Sequence, residues 1–244
     1  MSEVVAIIQA RMTSTRLPGK VMMDLQGKPL LWHVLERVRR ASRLKQVWIA
    51  TTDDGTEAPI LALCEQLGVS VWRGSTDDVL ARYQGAAQAA KAGVVVRITS
   101  DCPLIDPQVI DRCVEAYAAA APAVAYVSNC HQRTFPRGLD VEVFSRDALE
   151  AASREAVEPG EREHVTPFIW RRPERFPQGH LVDSEDHSHL RWTVDEPDDL
   201  RLIREVYAAL WPDNPRFGYA DVLRLVGSRP SLLEINAHVG QKHV

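Results

Sequence analysis

The sequence predicts an α/β fold with a mostly parallel central sheet, and two observations carry that expectation. Short apolar runs of four to six residues alternate with stretches of helical period, the order that βαβ units produce. The runs are mostly apolar, interrupted only by Ser70 and Arg97, the pattern expected of strands covered on both faces.

Four such runs open the chain: Val4 to Ile8, Val47 to Ala50, Val69 to Trp72 and Val94 to Ile98. Between the first two, Leu31, Val34, Leu35 and Val38 mark the buried stripe of an amphipathic helix, with Arg37, Arg39 and Arg40 expected on its other side. Ile60, Leu63 and Leu67 form a second helix ended by Gly68. Val79, Leu80, Tyr83, Ala87 and Ala90 form a third ended by Gly93. After the fourth run, Asp106 before Pro107 has the form of an N-cap followed by proline at the first helical position. That helix should end at the alanine tract near Ala121 and Pro122.

The pattern then changes from strictly parallel to mixed. Strand-like Val124 to Val127 and Val141 to Phe144 flank a polar loop, and one helix is expected over Arg162 to Arg171. Order returns with a strand at Leu190 to Val194 and a helix whose stripe is Leu200, Ile203, Val206, Tyr207 and Leu210. No internal repeat or low-complexity linker divides the chain.

Composition narrows the partners. The 244 residues are 45% hydrophobic and 25% charged, which suits one large globular domain or a domain with an insertion. A net charge of -4 offers no general attraction for nucleic acid or an anionic membrane, so a phosphate ligand must be held by local charge. No apolar run approaches the roughly 20 residues that span a bilayer, and the first strand begins without a charged leader. The expectation is a cytoplasmic protein with no nucleic-acid partner and no membrane insertion. Cys64, Cys102, Cys113 and Cys130 lack ligand spacing and are expected to be reduced and mostly buried.

Gln9 to Lys20 read QARMTSTRLPGK, directly after the first strand. In an open α/β sheet, ligands bind beyond the carboxyl ends of strands, which is where this loop lies. Arg11, Arg16 and Lys20 supply three positive charges, roughly the number a triphosphate balances. Ser14 supplies a hydroxyl donor, and Gly19 lets the backbone come close to an anion. The spacing fits neither a Walker loop nor the G-x-G-x-x-G fingerprint. On charge count alone, a solvated basic loop with a Pro-Gly turn is the other reading.

The loop resembles the A-R-x-x-S-x-R-L-P-x-K signature of the CMP-sugar-acid synthetases, the acylneuraminate and 3-deoxy-manno-octulosonate cytidylyltransferases. Ala10, Arg11, Ser14, Arg16, Leu17, Pro18 and Lys20 match it. The likeness extends through GKPLLWHVLER, DDVLARY, RITSDCPLIDP, GLDVEVF, REHVTPFI and RWTVDEPDDL, and is closest to the subgroup of the spore-coat polysaccharide protein SpsF. This resemblance implies a Rossmann-like nucleotide-diphospho-sugar transferase (GT-A-like) fold. It places the phosphates of CTP on Ala10, Arg11, Ser14, Arg16 and Lys20. It also implies Mg2+ as cofactor, a homodimer, and transfer of CMP to an acidic sugar acceptor with release of pyrophosphate. The expected organisation is one nucleotidyltransferase domain over 1–244. Its parts are a nucleotide-binding half at 1–122, an acceptor and dimerisation region at 123–191, and a return strand with C-terminal helices at 192–244.

Two aspartates are candidates for the metal. Asp101 follows the fourth strand, where a carboxylate can reach a cation bridging phosphates held by the basic loop, although a turn or cap role fits the same position. Asp195 in WTVDEPDDL is expected at the end of a strand. It or Glu196 could also cap the helix begun by Pro197, with Asp198 and Asp199 favouring the positive helix end. The resemblance implies that both are metal ligands, and that Arg11, Lys20 and Asp101 carry the catalysis. It departs from the family in reading Ser100-Asp101-Cys102-Pro103 where G-D-E-P is usual, which leaves acceptor recognition open.

Polar candidates for the acceptor are Asn129, Arg133, Arg137, Asp140, Glu142, Glu163 and His164. Arg133 and Arg137 suit a sugar carboxylate or are surface charges. Asp140 and Glu142 should share one face of a strand and place a carboxylate in the pocket. Arg82 and Arg97 are substrate or phosphate candidates, with an exposed helix charge as the alternative for Arg82. His187 and His189 share a face if extended, but no third ligand is near. A glycosyltransferase using a ready-made nucleotide sugar is the competing reading. It would want a D-x-D pair, and Pro103 stands where the second aspartate would be.

Overall fold

A computed structural model describes residues 3–240. The chain opens with β1 (Val4–Gln9), the basic loop, and a 3-10 turn at Lys20–Met22. A small antiparallel pair follows, β2 (Asp24–Leu25) with β3 (Lys28–Pro29). Then come α1 (Leu30–Val38), β4 (Gln46–Thr52), α2 (Ala58–Leu67), β5 (Ser70–Gly74), α3 (Val79–Ala89) and β6 (Val94–Thr99). After α4 (Pro107–Ala120) the second half contains β7 (Tyr126–Ser128), β8 (Glu142–Ser145), α5 (Arg146–Glu155), α6 (Pro159–His164), α7 (Pro167–Trp170) and β9 (Gln178–His180). The chain ends with α8 (Pro197–Leu210), α9 (Tyr219–Ser228) and a 3-10 turn at Pro230–Glu234.

Seven strands form the main sheet in the order β5-β4-β1-β6-β8-β7-β9. β4, β1 and β6 run parallel, with β5 parallel to β4. β8 enters antiparallel to both β6 and β7. The parallel run follows from the apolar segments, whose residues Val5, Ala6, Ile7 and Ile8 are completely buried. Helices cover both faces, giving one core around Leu31, Val34, Ile110 and Ile203 and another around Tyr83, Phe144, Leu149 and Phe168. In register, Gln9 faces Thr99, so β1 and β6 end side by side and their loops leave the sheet together. The Tyr83 hydroxyl lies 3.1 Å from the Ile7 carbonyl oxygen and 3.2 Å from that of Ile98, tying these two strand ends to α3.

Local signals read from sequence form as expected at several points. Gly68 caps α2 at φ 64, and Asp106 accepts bonds from the Gln108 and Val109 amides at the start of α4. Elsewhere tertiary context wins. Arg37 lies on the buried side of α1, only 2% exposed, because its Nε donates to the Ile105 carbonyl and its guanidinium stacks 4.6 Å from the Phe217 ring. At the end of α3 the left-handed residue is Lys91, at φ 52, and Gly93 leads into β6. The helix expected over Arg162 to Arg171 is two short ones, α6 and α7, split at Val165, whose φ of 72 breaks the path. Leu190 to Val194 forms one isolated parallel bridge, Arg137 to Arg191, and is no strand of the sheet. Asp195 therefore follows a docked loop segment.

Candidate active site

The loop after β1 folds on itself. The Gly19 amide donates to the Met12 carbonyl at 2.9 Å, and the Leu17 amide donates to Ser14 Oγ at 3.3 Å. Gly19 itself takes φ 69, a conformation that side chains with a Cβ rarely adopt. The 3-10 turn that follows buries Lys20 and directs its ammonium inward.

That ammonium is the centre of the site. Lys20 Nζ lies 2.9 Å from Asp101 Oδ2, 3.0 Å from Asp195 Oδ1 and 2.7 Å from the Val194 carbonyl oxygen. One nitrogen thus joins the loop after β1, the loop after β6 and the segment before α8. Arg16 Nη2 also reaches Asp195 Oδ1, at 2.9 Å, and Arg191 holds Asp195 Oδ2 at 3.0 Å. The Val194 amide donates to the Asp101 carbonyl at 2.8 Å, so the two aspartates are fixed by backbone as well as by charge. Glu196, and not Asp195, is the N-cap of α8. It forms a capping box with Asp199, which Arg191 and Asn236 hold in turn.

Around this cluster lies a cleft of about 540 Å³. Arg11, Arg16, Lys20, Arg82, Arg97 and Arg137 line it together with Asp101, Asp140, Glu163 and Asp195. Six basic against four acidic side chains give an excess of positive charge that the whole chain, at -4, does not have. Such focusing in a cleft is how an acidic protein attracts an anion. Arg11 and Arg137 have no side-chain partner among the described residues, so they are free to take one from a ligand.

Other candidates sit differently from expectation. Glu142 is the first residue of β8 and lies under the cleft floor, 5% exposed, where it pairs with Arg97 and accepts from Tyr126 and Thr166, each at 2.6 Å. Asp140 precedes the strand, so the two carboxylates do not share a strand face, and only Asp140 lines the cleft. Arg133 pairs with Asp140 and stands outside the cleft lining. Asn129 is fully buried and bonded to Leu139 and Val141, a structural role. Arg82 is only 2% exposed, which removes the surface-charge reading. Gln9, Thr99 and Thr193 line the cleft although sequence reading did not single them out. The first two end β1 and β6, so the strand-end rule could have found them.

The local charges set protonation. Burial would raise the Asp101 carboxyl, but the Lys20 charge together with hydrogen bonds from Thr99 and Lys20 holds the group below its ordinary value. Burial would lower Lys20, and Asp101 and Asp195 together keep it raised and charged. Glu142 and Asp199 are likewise depressed against the pull of burial, Glu142 by the Arg97 charge with hydrogen bonds from Thr166, Tyr126 and Arg97, and Asp199 by Arg191 with hydrogen bonds from Asn236 and the Asp195 amide. A carboxyl with a depressed folded-state value stabilises the fold above its unfolded value and loses that contribution as pH falls through the folded one. Stability should therefore drop in acid, below about pH 4. Glu142→Gln should destabilise by about 3 kcal/mol at neutral pH. Thermal melts from about pH 3 to pH 7 should show that gap closing in acid; a gap independent of pH would contradict the assignment.

Gly138 is the second positional constraint. It takes φ 104, and a Cβ there would stand 2.7 Å from the Trp192 carbonyl carbon and 2.8 Å from the Thr193 amide nitrogen. Gly138→Ala should push away the segment that carries Asp195 and destabilise the protein by about 2 kcal/mol or more. A melt within experimental error of the native protein's would show that the segment yields freely.

Comparison with known proteins agrees with this geometry. The chain matches the cytidylyltransferase family over residues 5–207. An uncharacterized protein of Methanocaldococcus jannaschii is 35% identical over 242 residues, which is 98% of this chain and 97% of that one. The spore coat polysaccharide biosynthesis protein SpsF of Bacillus subtilis is 32% identical over 237 residues, covering 94% and 96%. A solved cytidylyltransferase from Leptospira borgpetersenii is 31% identical and superposes over 100% of both chains with a TM-score of 0.92. Fold and cleft are those of a Rossmann-like nucleotidyltransferase. This chain belongs to the cytidylyltransferase family.

Proposed function

We propose that the protein transfers CMP from CTP to the hydroxyl of an acidic sugar, releasing pyrophosphate, for polysaccharide or glycoconjugate assembly. The observation that carries the reading is the meeting of Asp101 and Asp195 on the Lys20 ammonium, at 2.9 and 3.0 Å, inside a cation-rich cleft. In this scheme Arg11, Arg16 and Lys20 hold the triphosphate, helped by the Ala10 backbone and the Ser14 hydroxyl. Holding reactants in line is most of what a phosphoryl-type transfer asks of a protein. The acceptor oxygen bonds to the α-phosphorus as the bond to the bridging oxygen breaks, and pyrophosphate leaves with that electron pair. His164 lines the cleft, and burial holds its imidazole neutral near pH 7, so it is suited to take the hydroxyl proton.

Mg2+ fits the donor set. The two carboxylates are hard oxygen ligands. That is the pattern of an ion held by one or two carboxylates plus substrate phosphates. Bound there, Mg2+ would neutralise charge on the polyphosphate. Asp101 and Asp195 are its proposed ligands.

Supporting an acidic acceptor is Arg137, whose unpartnered guanidinium faces the cleft beside Asp140. We place acceptor and subunit contacts of a cytoplasmic homodimer in 123–191, on the family likeness. No helix among the described residues is long and apolar enough to cross a membrane. The test is a screen of four nucleoside triphosphates against sugar acids and sugar phosphates, scored by pyrophosphate release. CTP with a sugar acid should turn over; turnover only with sugar phosphates would overturn the acceptor class.

A further inference from the structure

Asn236 follows the 3-10 turn at Pro230–Glu234 and is 5% exposed. Its Nδ2 donates to the Arg191 carbonyl oxygen at 3.1 Å and to Asp199 Oδ1 at 2.9 Å. Asp199 is completely buried, and it also accepts from Arg191 Nε at 2.9 Å, from Arg191 Nη2 at 3.0 Å and from the amides of Asp195 and Glu196. One side chain therefore grips Arg191 at both ends, at its backbone directly and at its guanidinium through Asp199. The held guanidinium is the one whose Nη2 reaches Asp195 Oδ2 at 3.0 Å. Asp195 Oδ1 goes to Lys20 and Arg16, so the contact at the other oxygen fixes how this carboxylate is turned in the cleft.

The chemistry of the place calls for asparagine. Two acceptors must be met at once by uncharged donors on a short stem, and a primary amide carries two N–H donors. Serine has one hydroxyl proton. Aspartate has no donor and would set a second negative charge against a buried one. The amide is not the only tether of the C-terminal segment, since Leu232 packs in the core with Ile203 of α8 and Val222 of α9. Nor does Asn236 line the cleft; it lines a second hollow of about 350 Å³, and the two share Arg137 among their walls. Its effect on the cleft must pass through Arg191 and Asp199. We propose that Asn236 is a positioning residue, which through these two side chains sets the orientation of Asp195 for the divalent ion that accompanies the nucleotide. This rests on the proposed reading of Asp101 and Asp195 as ligands of that ion, and it makes the C-terminal segment a part of the site. Groups that orient a metal-binding side chain from behind typically account for about 10- to 100-fold in affinity for the ion.

The test uses Mn2+ as the probe. Its binding to the protein with CTP is followed by loss of the free-ion paramagnetic resonance signal, with protein in excess over CTP so that free nucleotide does not take up the ion. Native protein is compared with Asn236→Ser, Asn236→Ala and Asn236→Asp, and the affinity of each for CTP without a divalent ion is measured by calorimetry. Asn236→Ala should weaken Mn2+ binding about 10-fold or more, and the loss should deepen from Asn236→Ser to Asn236→Ala to Asn236→Asp. CTP without the ion should bind the variants as tightly as it binds native protein. Native-like Mn2+ binding by Asn236→Ala, whatever its melting temperature, would make the residue a tether alone and overturn the proposal. An equal loss of ion-free CTP binding would overturn it too, as a general loosening of the cleft. Because Asn236 is buried, the variants could fail to fold, and native protein labelled with 15N-asparagine then decides. The Asn236 side-chain resonances should shift when Mg2+ is added to the CTP complex, as Asp195 takes up the ion and Arg191 adjusts; resonances that stay in place would overturn the proposal. Failure of native protein with CTP to bind Mn2+ at all would instead overturn the ion-site reading on which the proposal rests.

Discussion

Asp101→Asn should lower pyrophosphate release by about 100- to 1000-fold, the range for losing one electrostatic contact to a transition state, while leaving the fold intact. The amide keeps the shape of the carboxylate, and Lys20 retains Asp195 and the Val194 carbonyl as partners. The loss should appear in kcat, because in the proposed scheme the charge acts where the phosphorus centre reacts. Steady-state rates with CTP, Mg2+ and the acceptor identified by screening, alongside a thermal melt, measure both halves of the expectation. Near-native turnover with Mg2+ present would remove Asp101 from the chemistry.

Lys20→Ala should cost turnover on a similar scale, about 100-fold or more, and here the nucleotide KM should rise as well. The ammonium is the only group bonded to both aspartates among the described residues, and in the proposed scheme it passes to the phosphates. Removing it leaves Asp101 and Asp195 facing each other with less compensation, so the melt should shift modestly without loss of folding. An unchanged kcat and KM would show that Lys20 serves the architecture alone.

Most of this site was legible because it is carried by local pattern. Three cations within one loop and an aspartate at a strand end need only the strand-end rule and the family signature to be placed. What sequence could not supply were pairings set by register. Arg97 and Glu142 are separated by 45 positions, and they meet because β8 pairs antiparallel with β6 at that rung. The same rung takes Glu142 out of the cleft. Arg37 looked exposed because a helical stripe counts only apolar residues, and its partners Ile105 and Phe217 come from distant elements. The split between α6 and α7 had a local signal, Thr166 before Pro167, since proline favours a helix start. The reason for the break is tertiary: Thr166 turns its hydroxyl to Glu142.

The three bonds of Lys20 bear on the order of loading. An ammonium standing at the shared focus of two carboxylates leaves little attraction there for a second cation, since positive charges about 3 Å apart repel strongly in a partly buried site. If those carboxylates take a divalent ion, the ammonium has to be drawn off first, and polyphosphate is the group able to draw it. Nucleotide and ion would then help each other bind, and by linkage each would tighten the other by the same factor. The free enzyme would ignore the abundant ion of its surroundings until its nucleotide arrived.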